Sequence, residues 1–183
     1  STNYSDQKGF IKNNEFDRIG VRFNLDHNLT SWLKLTGGAN YTRSNNQSPN
    51  TGSLRGNAFL LTGIARLAWL TAPNVGPYNA DGSYNINNST NTMGMGNNTV
   101  PSNFYNPTAL LGLNRYDAQN DQIIGNVGAT VTLLEGLDFK TSYALDWTKV
   151  ENKTFESALH GPGFTARGNA VNTMNNINTW NWS

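Results

Sequence analysis

The chain of 183 residues contains no cysteine. A disulfide scaffold and a thiolate metal site are therefore excluded, and the absence suits a protein that crosses an oxidising compartment. Long apolar runs are also missing. No stretch reaches the ~18 apolar residues that a membrane-crossing helix needs, and the mean hydropathy of -0.54 excludes a helical membrane protein. Charge is scarce and balanced, with 13 Lys+Arg against 12 Asp+Glu and a net charge of +1. That leaves no electrostatic footprint for nucleic acid. There is no phosphate loop, no G-x-S-x-G and no H-E-x-x-H, and His27 and His160 stand isolated. We expect no enzyme activity, no cofactor and no metal. The chain begins with Ser and has no signal peptide, which reads as a processed or partial chain.

What is present is alternation. In Phe16 to Ser44, the residues Ile19, Val21, Phe23, Leu25 and Leu29 point one way, and Arg18, Arg22, Asn24, Asp26 and Asn28 the other. Thr30, Ser31 and Trp32 turn the chain. Leu33, Leu35, Gly37, Ala39 and Tyr41 return on the apolar side, against Lys34, Thr36, Asn40 and Thr42. A period of two marks strands with one apolar and one wet face. A second copy follows at Gln122 to Thr148. Ile123, Val127, Ala129, Val131 and Leu133 oppose Asn126, Gly128, Thr130 and Thr132, and Leu134, Glu135 and Gly136 form the turn. Leu137, Phe139, Tyr143, Leu145 and Trp147 complete the apolar face, against Asp138, Lys140, Ser142 and Asp146.

Each arm runs to roughly twice the ordinary strand of ~5–6 residues, near the ~9–11 that a tilted strand needs to cross a bilayer. The expected strands are about 17–29, 33–44, 122–133 and 137–149, with long loops at about 45–121 and 150–176. Short turns at one rim and long loops at the other fit an all-β, antiparallel transmembrane barrel segment. Four full strands and two end fragments cannot close a membrane barrel, for which ~8 is the smallest number. We therefore expect residues 1–183 to be part of a larger barrel domain. A hairpin from a soluble sandwich is the bland alternative.

The long loop carries one helical stripe. Leu60, Leu61, Ile64, Leu67 and Ala68 recur at helical spacing within Asn57 to Leu70, flanked by Phe59 and Trp69. Ser53 or Asn57 can cap this helix and Pro73 stops it. Pro73 to Tyr84 is turn-rich, and Asp81-Gly82 supplies a turn with a residue at positive φ. No run of regularly spaced carboxylates makes Asp81 a calcium ligand. Asn85 to Ser102 is polar without hydrophobic period. Asn106-Pro107 opens a short helix, and His160-Gly-Pro-Gly forces a turn. Ile177 to Ser183 begins another strand, with Trp180 and Trp182 on one face.

Candidate functional residues follow from these positions. Trp69, Tyr78 and Tyr84 are candidates for contact with a ligand or a lid. Arg18, Arg22, Asp26, Lys34, Asp138, Lys140 and Asp146 would line a barrel lumen as a solvated wall, a plug contact or a substrate surface. Trp32, Tyr41, Tyr143 and Trp147 lie where an aromatic girdle is expected. His27 shares the apolar face near the turn and suits a girdle or interface position.

The passage Gln7-Lys-Gly-Phe-Ile-Lys-Asn-Asn-Glu-Phe-Asp-Arg-Ile-Gly-Val-Arg-Phe-Asn-Leu25 resembles the SusC/RagA-type TonB-dependent transporters of Bacteroidota outer membranes. Trp32-Leu-Lys-Leu35, Ala39-Asn-Tyr41, Pro73 to Tyr84, Asn106-Pro107 and Glu135-Gly-Leu-Asp-Phe139-Lys140 also resemble the family. The resemblance implies a barrel of about 22 strands around an N-terminal plug, in the outer membrane of a Gram-negative bacterium. It implies a SusD-like surface lipoprotein as lid and energy from the TonB–ExbB–ExbD complex. The cargo would be oligosaccharides, peptides or other large nutrients. The 183 residues contain neither plug nor TonB box. Two other classes stay open: a non-transporting barrel or adhesin, and a soluble β-rich carbohydrate-binding module using Trp69, Tyr78 and Tyr84.

Overall fold

The structure, a computed structural model, describes residues 1–49, 63–95, 99–100 and 104–183. Six strands make one antiparallel sheet: β1 (Thr2–Lys8), β2 (Glu15–Asn28), β3 (Leu33–Gln47), β6 (Arg115–Leu134), β7 (Leu137–Glu156) and β8 (Asn169–Trp182). They lie side by side in chain order, each paired only with its sequence neighbours in the sheet. The excursion between β3 and β6 holds two short helices, α1 (Ile64–Leu70) and α2 (Pro107–Leu113), and a small hairpin of β4 (Ile86–Asn87) and β5 (Thr92–Met93). No helix among the described residues is long and apolar enough to cross a membrane.

Register explains the two faces. Directly opposed residues of an antiparallel ladder share a face. Leu25 opposes Gly37, which opposes Val127, which opposes Tyr143, which opposes Trp182. Val21, Tyr41, Ile123 and Trp147 form a second row, and Leu33, Val131 and Phe139 a third. The alternation read in each hairpin thus fuses into one apolar surface, and Trp180 joins it opposite Leu145. This surface is open: Phe23 is 61% exposed and Trp180 65%. The face ends sharply. The row beyond Tyr41, Ile123 and Trp147 is Arg43, Asp121 and Lys149.

The strands run further than the apolar pattern. β6 begins at Arg115 rather than 122, β7 continues to Glu156 rather than 149, and β8 starts at Asn169. The expected loops at 45–121 and 150–176 shrink accordingly. In these outer parts both faces are polar, so no period-two signal exists. Pairing there is carried by the continuing backbone ladder and by side chains across it. Asn172 donates to Glu151 across from β8 at 3.2 Å, and Glu151 is also 3.1 Å from Lys153 along its own strand. The first turn forms at Thr30–Trp32, where the Leu33 N–H donates to Thr30 Oγ1 at 3.0 Å. The second is shorter than expected. Leu134 pairs with Leu137, Gly136 takes φ +80, and an irregularity between Thr132 and Leu134 absorbs the extra residue.

The buried core lies off the sheet, among the loops. Helix α1 runs from Ile64, behind an extended Gly63 with ψ 122; the expected start at Asn57 lies outside the described residues. Ser53, Asn57, Phe59, Leu60 and Leu61 lie outside the described residues. The helix ends before Pro73, with the Thr71 N–H and hydroxyl both donating to Leu67 O. Ile64 and Leu67 of α1 pack with Tyr105 and Leu110, and Ile11 from the β1–β2 turn joins them. Val75, Met93 and Val100 form a second cluster bridged by Phe104. The polar run from Asn85 therefore holds a hairpin and buried apolar residues that its composition hides.

Candidate functional site

Two regions carry functional side chains: the loop layer at one end of the sheet and the polar face of the sheet itself. In the loop layer, Asn106 is the hub. It is fully buried, and its Oδ1 caps α2 by accepting from the Thr108 and Ala109 N–H groups at 3.0 and 3.2 Å. Pro107 suits the first helical position because its missing N–H needs no partner there. The Asn106 Nδ2 donates to Pro77 O at 2.7 Å and Asn85 O at 3.3 Å, holding the turn-rich segment. Its own backbone N–H donates to His160 Nε2 at 2.8 Å.

His160 comes from the loop between β7 and β8. It is fully buried and stands edge-on to Tyr105 at 5.5 Å. Because Nε2 accepts, the proton of the neutral ring sits on Nδ1, which has no hydrogen-bond partner. Burial pushes its pKa down to about 4. A second link lies next to it. Asn91 Nδ2 donates to Gly161 O at 2.9 Å, and Gly161 N donates back to Asn91 Oδ1 at 2.8 Å. The two long loops are therefore clasped together. The β1–β2 turn is tied in as well, by Asn13 Nδ2 donating to Leu111 O at 2.6 Å. Sequence reading missed this centre: His160 and Asn106 are 54 residues apart and share no motif.

The aromatic candidates divide. Tyr78 and Tyr84 come together, their rings stacked at 5.6 Å and 24°. The Tyr84 hydroxyl lies where a Cβ on Gly112 would stand, so the pair is seated on α2 through a missing side chain. Among the described residues Trp69 belongs to no ring pair; it is 90% exposed, on the side of α1 away from buried Ile64 and Leu67. Asp81 is a turn residue: its Oδ1 accepts from the Ser83 N–H at 2.9 Å and the Ser83 hydroxyl at 2.6 Å. These two bonds hold its carboxyl below the usual range. No group of three or more metal-ligating side chains occurs among the described residues.

On the polar face, Asp26 pairs with Lys34 at 3.1 Å. Asp138 accepts from Thr132 at 2.8 Å, and Asp146 from Gln122 and Thr148. Arg18, Arg22 and Lys140 have no ion-pair partner among the described residues. At the edge of the apolar face, the Tyr41 hydroxyl donates to Asp121 at 2.8 Å. Trp32, at the opposite turn, is exposed, and Tyr143 and Trp147 lie within the apolar rows. His27 opposes Leu35 on the same face and is exposed.

These features define a class of surface: an all-β, antiparallel sheet with one open apolar face, one polar face and a clasped loop layer at one end. No family model matches the chain. The chain is 26% identical over 185 aligned positions to TonB-dependent receptor P3 of Formosa agariphila. The alignment covers 97% of this chain and 17% of that protein. The chain is thus similar to one part of a TonB-dependent receptor and spans about a sixth of that protein's length.

Proposed function

We propose that this sheet is part of the barrel wall of an outer-membrane, TonB-dependent active transporter of the SusC/RagA type. The observation that carries this reading is the height of the open apolar face. Leu137 to Trp147 spans ten residue steps on β7, about 34 Å at ~3.4 Å each. Tilted by ~40°, that is about 26 Å of height, matching the ~25 Å apolar band of outer-membrane barrels. The charged row Arg43–Asp121–Lys149 begins where the band stops, with Arg43 Nε 3.7 Å from Asp121. In a soluble carbohydrate-binding module such a face would need a second sheet to cover it.

In this reading the two short turns lie at the periplasmic rim and the clasped loops face the medium. Trp69, Tyr78 and Tyr84 contact the ligand or a SusD-like lipoprotein lid. The plug and the TonB–ExbB–ExbD connection belong to other parts of the whole protein. The protein performs no covalent chemistry; it imports oligosaccharides, peptides or similar nutrients through remodelling of the plug. Single cysteines in the full protein test the wall, since the chain has none of its own. W69C should react with an impermeant maleimide on intact cells, and V127C only after detergent. Equal labelling of V127C and W69C on intact cells would refute the wall. Transport is tested by deleting TonB: uptake of the solute that induces the protein should be lost. Continued uptake would favour a passive barrel.

A further inference from the structure

The polar face contains a groove of about 510 Å³ centred on β2. Gly38 lines it, and Gly20 lies between Arg18 and Arg22 on the same face of β2. A Cβ on Gly20 would stand 2.5 Å from Asn3 Oδ1, and one on Gly38 would stand 2.8 Å from Asn126 Oδ1. The carboxamides thus lie across strands where side chains are missing. Arg18 and Arg22 flank Gly20, about 13 Å apart along the strand. No acid stands among their cross-strand neighbours: Ser5 and Ser44 lie beside Arg18, Ser1 and Asn40 beside Arg22. The nearest acid on this face of β2 is Asp26, which is taken by Lys34. Among the described residues neither guanidinium has an ion-pair partner, nor do Asn3, Asn24 and Asn126 have side-chain partners.

We infer that this groove is a binding site for a hydroxyl-rich solute carrying carboxylate or sulfate groups. The inference rests on the transporter reading and names the cargo class for it. Unpaired guanidiniums present forked donors that match a carboxylate or sulfate geometrically. Against a low-dielectric wall two like charges attract a counter-ion strongly. Each carboxamide offers both donor and acceptor atoms, which match the hydroxyls of a sugar ring. An apolar peptide finds little purchase here. A carboxylate of the plug could neutralise the guanidiniums but would leave the carboxamides open.

The test is calorimetric titration of the purified full-length protein in detergent, plug included. The probes are an oligogalacturonate, a sulfated oligosaccharide of equal length and neutral maltoheptaose. One or both acidic probes should bind at least tenfold more tightly than maltoheptaose, and weaken as salt rises. The carboxylate and sulfate arms tell which anion the groove prefers. R18Q/R22Q should abolish that preference, while R18K/R22K should keep part of it. Heat-modifiable migration on gels establishes that each variant barrel is folded. Equal binding of acidic and neutral probes, or an unchanged preference in R18Q/R22Q, overturns the inference. So does a variant whose plug becomes protease-sensitive while acidic binding is unaltered; the arginines would then serve the plug. Because TonB is absent from this assay, its failure leaves the TonB-dependent uptake test standing, and the reverse also holds.

Discussion

Acidification should loosen the loop layer through His160. An imidazole in an open loop has the ordinary histidine pKa of about 6.5, whereas the buried ring of His160 is pushed down to about 4. Between those values the open state binds a proton that the closed state refuses. The contribution is therefore complete above about pH 6.5 and declines as the pH falls toward 4. Each unit costs about 1.4 kcal/mol, so about 3 kcal/mol is lost across the window, more than a hundredfold in the opening equilibrium. Hydrogen exchange read by mass spectrometry on peptides covering 104–114 and 157–168 measures it, after correction for intrinsic rates. H160Q supplies the control. Its side-chain oxygen can accept from the Asn106 N–H as Nε2 does, but it does not titrate. Wild-type protection should fall between pH 6.5 and 4 while H160Q stays flat, apart from carboxylates common to both. Parallel curves for the two proteins would refute the argument that burial holds His160 neutral.

Two further outcomes test the faces and the aromatic seat. V127R, near the middle of the apolar face, should destabilise the membrane-inserted barrel by about 2–4 kcal/mol in urea unfolding from lipid vesicles, whereas N126R beside it should cost far less; equal costs would contradict the register. G112A should expel the Tyr84 phenol from α2 and increase exchange in 76–86 at neutral pH, and adding Y84F should restore part of the protection because the nearest clashing atom is the hydroxyl oxygen.

How much of this was legible in the sequence depends on what each side chain meets. Ile19 to Leu25 and Ile123 to Val131 alternate because nearly all their apolar side chains lie on one face of the sheet, so hairpin, register and face could all be read. Residues 115–121, 150–156 and 169–176 carry mostly polar side chains on both faces. Their strands are extensions of ladders begun elsewhere, and no local pattern announces them. The C-terminal end of α1 was legible through Pro73, which cannot continue a helix. The aromatic seat depends on Gly112, a residue with no side chain to signal it. His160 carried no motif, since its partner is a backbone N–H of a distant loop. Arg18 and Arg22 were legible as wall residues. Their lack of partners was not, because it depends on Ser5, Ser44 and Asn40 opposing them rather than acids.

The clasp between Asn106 and His160 bears on how the protein assembles. Its two halves flank β6 and β7, whose ladder runs from Arg115–Phe155 to Leu134–Leu137. A slip of one residue between them would turn every apolar side chain of one strand inward. A slip of two would keep the faces correct yet carry His160 about 7 Å away from Asn106. The first error would expose the apolar face wrongly, and the second would be marked only by the loss of the clasp. The Asn106–His160 contact is therefore compatible with one register of β6 on β7, the one the ladder shows.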